Sequence, residues 1–262
     1  MMLALLGIAI AVLLVLRVPV AFAFLGPSLL YMWVSGQSVG NALREVVNAA
    51  DSFPMLAVPL FVLLGSLANH AGIADRLFRF ALAVLARVRG SLGYVSIGTS
   101  VGFSWMSGSA VADAAALGKV QIPQMIREGY GRRFATGISA ASSLIAPVMP
   151  PSIPAVIYAG LAAISTGALF AASVVPAIAM ALGLVIAVAV LVARNPRIRR
   201  GEFDRREVLA SLKGVILPML TPVIILGGIL GGIFTPTEAA AVAVVYILLV
   251  GAVQRSLTWK GD

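Results

Sequence analysis

The sequence predicts an all-α polytopic membrane protein, and three observations carry that reading. Of the 262 residues 60% are hydrophobic and only 11% charged, and the mean hydropathy is +1.03, outside the range of soluble globular domains. From Phe134 to Ala193 there is no Asp, Glu, Lys or Arg. At about 20 apolar residues per crossing, that interval alone holds two or three spans. The net charge of +9 comes from basic residues set between apolar runs, the pattern of cytoplasmic loops rather than of a nucleic-acid surface. A transmembrane β-barrel would show short alternating segments instead. With no cysteine there is no disulfide or thiolate metal site, and the single histidine, His70, removes most imidazole-based catalysis.

Residues 2–16 and 20–34 are the first two apolar runs, separated by Arg17 and Pro19. The first lacks the basic leader of a secretory signal and is expected to be a retained helix. Polarity rises over 35–53 (Gln37, Asn41, Arg44, Glu45, Asn48, Asp51), which predicts an interfacial or extramembrane stretch; 54–69 spans again, ending near His70. Residues 74–90 place Asp75, Arg76, Arg79, Arg87 and Arg89 at helical spacing in an apolar remainder, an amphipathic helix in the interface. Residues 91–127 have basic flanks on both sides and an interruption at Ser107-Gly108-Ser109. Two half-depth helices that enter and return on one side satisfy both flanks, so a re-entrant hairpin is expected; one long span would put a basic cluster outside. Residues 134–160 cross through a proline break and 167–193 cross back. Arg194, Arg197, Arg199, Arg200, Arg205, Arg206 and Lys213 then mark a cytoplasmic loop, followed by crossings over 214–232 and 238–254. Tyr31, Trp33 and Trp259 fit interfacial anchors.

Two stretches do what a spanning helix avoids. Ser107-Gly108-Ser109 followed by Asp113 puts small polar residues and a carboxylate in an apolar region. Small residues serve close helix packing. An intramembrane carboxylate costs about 3 kcal/mol and points to function, directly or by orienting the tip. The second stretch sets Pro147, Pro150, Pro151 and Pro154 beside Ser142, Ser143 and Ser152. Each proline removes the helical donor to the residue four back, so the carbonyls of Ser143, Ala146, Pro147 and Pro150 are expected to lie open. In hydrocarbon four such groups cost roughly 10 kcal/mol unless water, polar protein groups or a cation satisfy them. A broken helix offers carbonyls at one half-helix end, which suit Na⁺, and N–H groups at the other, which suit a carboxylate. On this reading Ser107, Ser109, Ser143, Ala146, Pro147 and Pro150 hold Na⁺, mainly through main-chain oxygens. Ser107, Gly108, Ser109, Pro151, Ser152 and Ile153 meet the substrate. Thr235-Pro236-Thr237-Glu238 reads first as a capping box opening a helix, with Thr235 and Glu238 supporting the site at most.

At these residues the chain resembles the large membrane subunit of the tripartite ATP-independent periplasmic (TRAP) transporters. The resemblance is carried by Asp51-Ser52-Phe53-Pro54-Met55-Leu56-Ala57-Val58-Pro59, by Ser107 to Gly118, by Pro150-Pro151-Ser152-Ile153 and by Gly231-Gly232-Ile233-Phe234-Thr235-Pro236-Thr237-Glu238-Ala239. It implies an inverted-repeat, elevator-type secondary transporter of the bacterial inner membrane. Na⁺ is the coupling ion, with no organic cofactor. The implied cargo is a small organic acid such as a C4-dicarboxylate, a keto acid or a sialic acid. The implied partners are a small membrane subunit and a periplasmic substrate-binding protein. The resemblance places a first repeat over 1–200. It comprises scaffold helices in 1–72, the interfacial helix 74–90, the hairpin 91–127, the broken helix 134–160 and the return helix 167–193. Residues 201–262 then hold the basic loop and the first two helices of an incomplete second repeat, because the family's large subunit is longer. A proline before an Ala-rich helix at Pro19 and again at Pro236 is a faint echo of that repeat. The rivals are a divalent-anion/Na⁺ symporter that needs no binding protein and a non-transporting membrane fragment. A rhomboid-type serine protease with Ser107 as nucleophile would need His70 as its base.

Overall fold

The computed structural model describes residues 2–51, 53–193 and 203–254. Arg194, Arg197, Arg199, Arg200 and Trp259 therefore lie outside the described residues. Every regular element among those described is helical, and the chain divides into two compact units, Met1–Ser52 and Phe53–Asp262.

The first unit holds α1 (Met2–Val15), α2 (Val20–Val34) and α3 (Val39–Ala50). Arg17 takes the left-handed conformation (φ 61°) and Pro19 an extended one, which together reverse the chain between α1 and α2. No residue of α1 is buried, although the helix is apolar throughout, as befits a helix whose solvent is lipid. The polar stretch expected over 35–53 is mostly the amphipathic α3.

The second unit opens with a 3₁₀ turn, Phe53–Leu56, then α4 (Ala57–His70), α5 (Ile73–Leu85), α6 (Ser91–Ser107) and α7 (Ala110–Arg127). It continues with α8 (Arg132–Ser143), α9 (Ile153–Ala162), α10 (Thr166–Ala193), α11 (Arg205–Val215), α12 (Thr221–Leu230) and α13 (Pro236–Val253). Three helical segments, Phe53–His70, Thr166–Ala193 and Pro236–Val253, are long and apolar enough to cross a bilayer; Arg205–Val215 and Pro218–Leu230 form a pair bent by 58°. The basic stretch expected as a loop thus becomes helical from Arg205. Asp204 caps it through the Arg206 N–H at 2.8 Å, with Glu207 in the first turn and Lys213 in the last, each charge on its favourable end.

Two apolar cores lie on either side of the α6–α7 hairpin. Phe103, Met106 and Leu117 join one with Phe61, Leu64, Phe170 and Ile247; Leu92, Val95 and Met125 join the other with Ile138, Ile145 and Val188. The hairpin is held by packing along both flanks, which leaves its tip as the part with polar work to do.

Candidate functional site

Helix α6 ends because Gly108 adopts the left-handed conformation (φ 57°, ψ 13°), open to glycine at little cost. Ser109 then turns extended and its hydroxyl caps α7, accepting the Ala112 N–H at 3.4 Å. The turn expected from Ser107-Gly108-Ser109 is therefore present, with Ser107 and Gly108 buried and Ser109 half-buried.

The second break lies between the end of α8 at Ser143 and the start of α9 at Ile153. Its first part is a run of tight turns: the N–H groups of Leu144, Ile145 and Ala146 donate to the carbonyls three residues back, at 3.1–3.3 Å. The Pro150–Pro151 bond is cis. Ser152 then caps α9, its hydroxyl accepting the Ala155 N–H at 3.2 Å and donating to the Pro147 carbonyl at 2.5 Å. Two of the four carbonyls expected to lie open are thus partnered: Ser143 by the Ala146 N–H at 3.2 Å, and Pro147 by Ser152. The reason is local. Tightening from four-residue to three-residue spacing rescues Ser143, and a serine five residues on reaches back to Pro147. No described donor reaches the carbonyls of Ala146 or Pro150.

The two breaks meet. The Ile153 N–H donates to the Gly108 carbonyl at 3.4 Å, and a Cβ on Gly108 would lie 2.8 Å from the Pro151 carbonyl oxygen. On the other side of the tip, a Cβ on Gly65 of α4 would lie 3.1 Å from the Ser107 Cα. Ser107, Gly108, Pro151, Ser152 and Ile153 are brought together; Ser109 and Ser143 are turned to bonds within their own segments. Thr235 and Glu238 form a reciprocal capping box at α13, with 2.8 Å from the Thr235 N–H to Glu238 Oε2, and the neighbouring Thr237 donates to the Phe53 carbonyl at 3.0 Å. Their bonds stay at that helix end.

Among the described residues, buried polar atoms of Trp105, Ser107, Asp113 and Thr221 lack partners, the first three of them on the hairpin. The Ser107 hydroxyl and both carboxylate oxygens of Asp113 accept or donate no hydrogen bond. Asp113 is the one fully buried charged residue among those described. Ser107 and the two open carbonyls are all oxygen donors, the set a hard cation prefers. His70 ends α4, exposed, with Nδ1 2.8 Å from the Ser66 carbonyl of its own helix.

Behind the tip runs a polar network that the sequence reading missed. Gln121 of α7, fully buried, accepts from Ser96 at 2.6 Å and donates to Thr99 at 2.6 Å, both on α6. Ser139 of α8 reaches the same Gln121 oxygen at 3.4 Å, and Ser100 of α6 donates to Ser142 of α8 at 3.0 Å. Hairpin and broken helix are pinned together by side chains from three helices. A run of serines at 96, 100, 139 and 142 was the available signal, spaced to share helix faces.

Helices that stop in an apolar interior and meet end to end, with irregular backbone kept away from lipid, define the class: a multi-pass helical membrane protein with discontinuous helices, as in secondary transporters. The family model described as "DctM: Tripartite ATP-independent periplasmic transporter, DctM component" matches residues 7–261, and the chain belongs to that family. It is 42% identical, over 93% of its length and 57% of the relative's, to the sialic acid TRAP transporter large permease SiaM of Vibrio cholerae. It is 36% identical, over 94% of its length and 55% of the relative's, to the C4-dicarboxylate TRAP transporter large permease DctM of the same species. Against the 2,3-diketo-L-gulonate TRAP transporter large permease YiaN of Escherichia coli it is 36% identical over 92% of its length and 57% of the relative's. The chain thus spans a little over half the length of these relatives. They are permeases rather than enzymes, and the protein is a multi-pass protein of the bacterial inner membrane.

Proposed function

We propose that the chain forms the first Na⁺- and substrate-binding half of a TRAP large permease, which takes up a small organic acid. The observation that carries this reading is the meeting of the Gly108 turn with Pro151–Ile153. There, one half-helix ends in oxygen donors and another begins at its positive end, where the Ser152 N–H has no described acceptor while those of Ile153 and Ala155 are bonded to Gly108 and Ser152. Na⁺ is held beside Ser107 by the carbonyls of Ala146 and Pro150; Ser109, Ser143 and Pro147, bonded within their own segments, would have to exchange those bonds to join the shell. The substrate carboxylate meets the start of α9 at Pro151, Ser152 and Ile153. Asp113 supports the tip from the first turn of α7, at the positive end of that helix. No covalent step is needed: ion and substrate bias an inward–outward equilibrium of the hairpin and broken helix, moving as an elevator against scaffold helices such as α4. The repeat is inverted, and a small membrane subunit and a periplasmic binding protein complete the assembly. The relatives' names keep sialic acid, C4-dicarboxylates and diketogulonate as the cargo classes to test.

The test is uptake of labelled sialic acid and of succinate by cells expressing the full-length permease with its partner subunits, over a range of Na⁺ concentrations. Ser107→Ala and Ser109→Ala are expected to raise the Na⁺ concentration needed for half-maximal uptake. An unchanged Na⁺ dependence in both removes the site.

A further inference from the structure

Away from the tip, the two amphipathic helices α5 and α11 pack on each other outside the hairpin. They run antiparallel. The Arg87 guanidinium stacks over the Phe203 ring at 4.7 Å at one end, and the Arg76 stem lies 3.5 Å from where a Gly214 Cβ would stand at the other. Between them is a cavity of about 310 Å³. Arg76 and Arg79 line one wall, one helical turn apart; Glu207, Ala210, Ser211 and Gly214 line the other, a single face of α11.

The chemistry of this cavity is uneven. Neither the Arg76 nor the Arg79 side chain makes a hydrogen bond or ion pair with any described residue, and Glu207 forms no ion pair with them either. The Ser211 hydroxyl is spent on the Glu207 carbonyl at 2.7 Å. Two planar guanidinium groups therefore face a space that small side chains keep open, with one carboxylate at its edge. Guanidinium forks match phosphate oxygens, and basic pockets beside cytoplasmic membrane surfaces take phospholipid headgroups. On the face turned away from the cavity, Leu209 of α11 and the following Ile216 are exposed, at 63% and 53%, so the helix as a whole suits the membrane surface. The chain then bends by 58° into the segment Pro218–Leu230. We infer that Arg76 and Arg79, with Glu207 across the cavity, bind the phosphodiester of an anionic phospholipid, whose headgroup hydroxyls meet the Glu207 carboxylate. The lipid wedges α5 against α11 at the membrane surface and so braces the two arms that lead into α6 and α12.

The experiment uses the purified full chain, delipidated in detergent, with thermal unfolding as the first readout and native mass spectrometry as the second. Phosphatidylglycerol, phosphatidylcholine and inorganic phosphate are added separately. Phosphatidylglycerol at 100-fold over its Kd is expected to raise the midpoint by about 5 °C, with one lipid retained per chain. Phosphatidylcholine and phosphate do not. Arg76→Gln/Arg79→Gln keeps the side-chain stems, so its midpoint in phosphatidylcholine stays near wild type while the phosphatidylglycerol shift and the retained lipid are lost. Arg205→Gln/Arg206→Gln, on α11 with Glu207 but not lining the cavity, keeps both. Loss in both double variants, or retention in the first, overturns the site. A shift with phosphate as large as that with phosphatidylglycerol overturns the lipid.

Discussion

The Gly108 carbonyl accepts the Ile153 N–H at 3.4 Å, a single backbone bond joining the turn of one interrupted helix to the restart of another. Two separate demands make residue 108 a glycine. Its φ is 57°, and any Cβ would stand 2.8 Å from the Pro151 oxygen. Gly129 shares the positive φ (84°) but has open space around it. Gly129→Ala should therefore cost about 1 kcal/mol, the left-handed penalty alone. Gly108→Ala should cost about 3 kcal/mol, because the tip must also back away from Pro151. Thermal unfolding of the two variants compares them, and equal losses would mean that the tip does not press on the break.

Ser152 works in both directions at the break, capping α9 and donating to Pro147. Ser152→Ala removes a cap and leaves a carbonyl without its donor, so a loss of about 2–3 kcal/mol is expected. Ser152→Thr keeps the hydroxyl and should recover most of it. A midpoint in Ser152→Ala within a degree of wild type would show that water takes over both bonds.

Gln121 ties α6, α7 and α8 through one side chain. Gln121→Leu leaves the buried Ser96 hydroxyl with only its long 3.4 Å bond to Ser142, and about 2 kcal/mol is expected to go. Because Ser96 and Gln121 act on each other, the double variant with Ser96→Ala should be about 1 kcal/mol less damaging than the two single losses added. Strict additivity in that cycle would dissolve the network.

The breaks at 107–109 and 144–152 were legible in the sequence because glycine and proline act on their own backbone. Nothing distant is needed to predict that Gly108 turns or that Pro147 interrupts. The fate of the freed carbonyls was not legible. It depends on three-residue turns after Ser143 and on the reach of Ser152, both products of the folded break. Helix α11 was read as loop because its charges dominate, although Asp204 and Glu207 already marked a start. Gln121 is silent in the sequence because Ser96 and Thr99 meet it only once the hairpin closes, and Ser139 only once α8 lies against it.

Asp113 is buried with neither oxygen hydrogen-bonded, so its charge is a burden on the fold. Asp113→Asn should leave the unfolding midpoint in sodium-free buffer unchanged or raise it. Asp113→Ala should lower it by about 2 kcal/mol through the cavity it opens. A clear destabilisation by Asn would reveal a partner that needs the negative charge.

Gly65 makes the last and most mechanistic test. It lets α4 approach so closely that an added Cβ would stand 3.1 Å from the Ser107 Cα, and backbone cannot swing aside as a flexible side chain can. If α4 belongs to a fixed scaffold and the hairpin travels past it, this contact exists in one state and not in the other. Gly65→Ala then penalises only the state seen here, by about 1–2 kcal/mol, and shifts the equilibrium roughly tenfold toward the other. A cysteine at Val111, which is 80% exposed beside the tip, reports the shift through its rate of labelling by a membrane-impermeant maleimide in the full-length permease. That rate should change several-fold in Gly65→Ala while the unfolding midpoint moves by only a few degrees. A midpoint that falls with no change in labelling would mean that α4 and the hairpin stay together, and the elevator reading would have to place its sliding surface elsewhere.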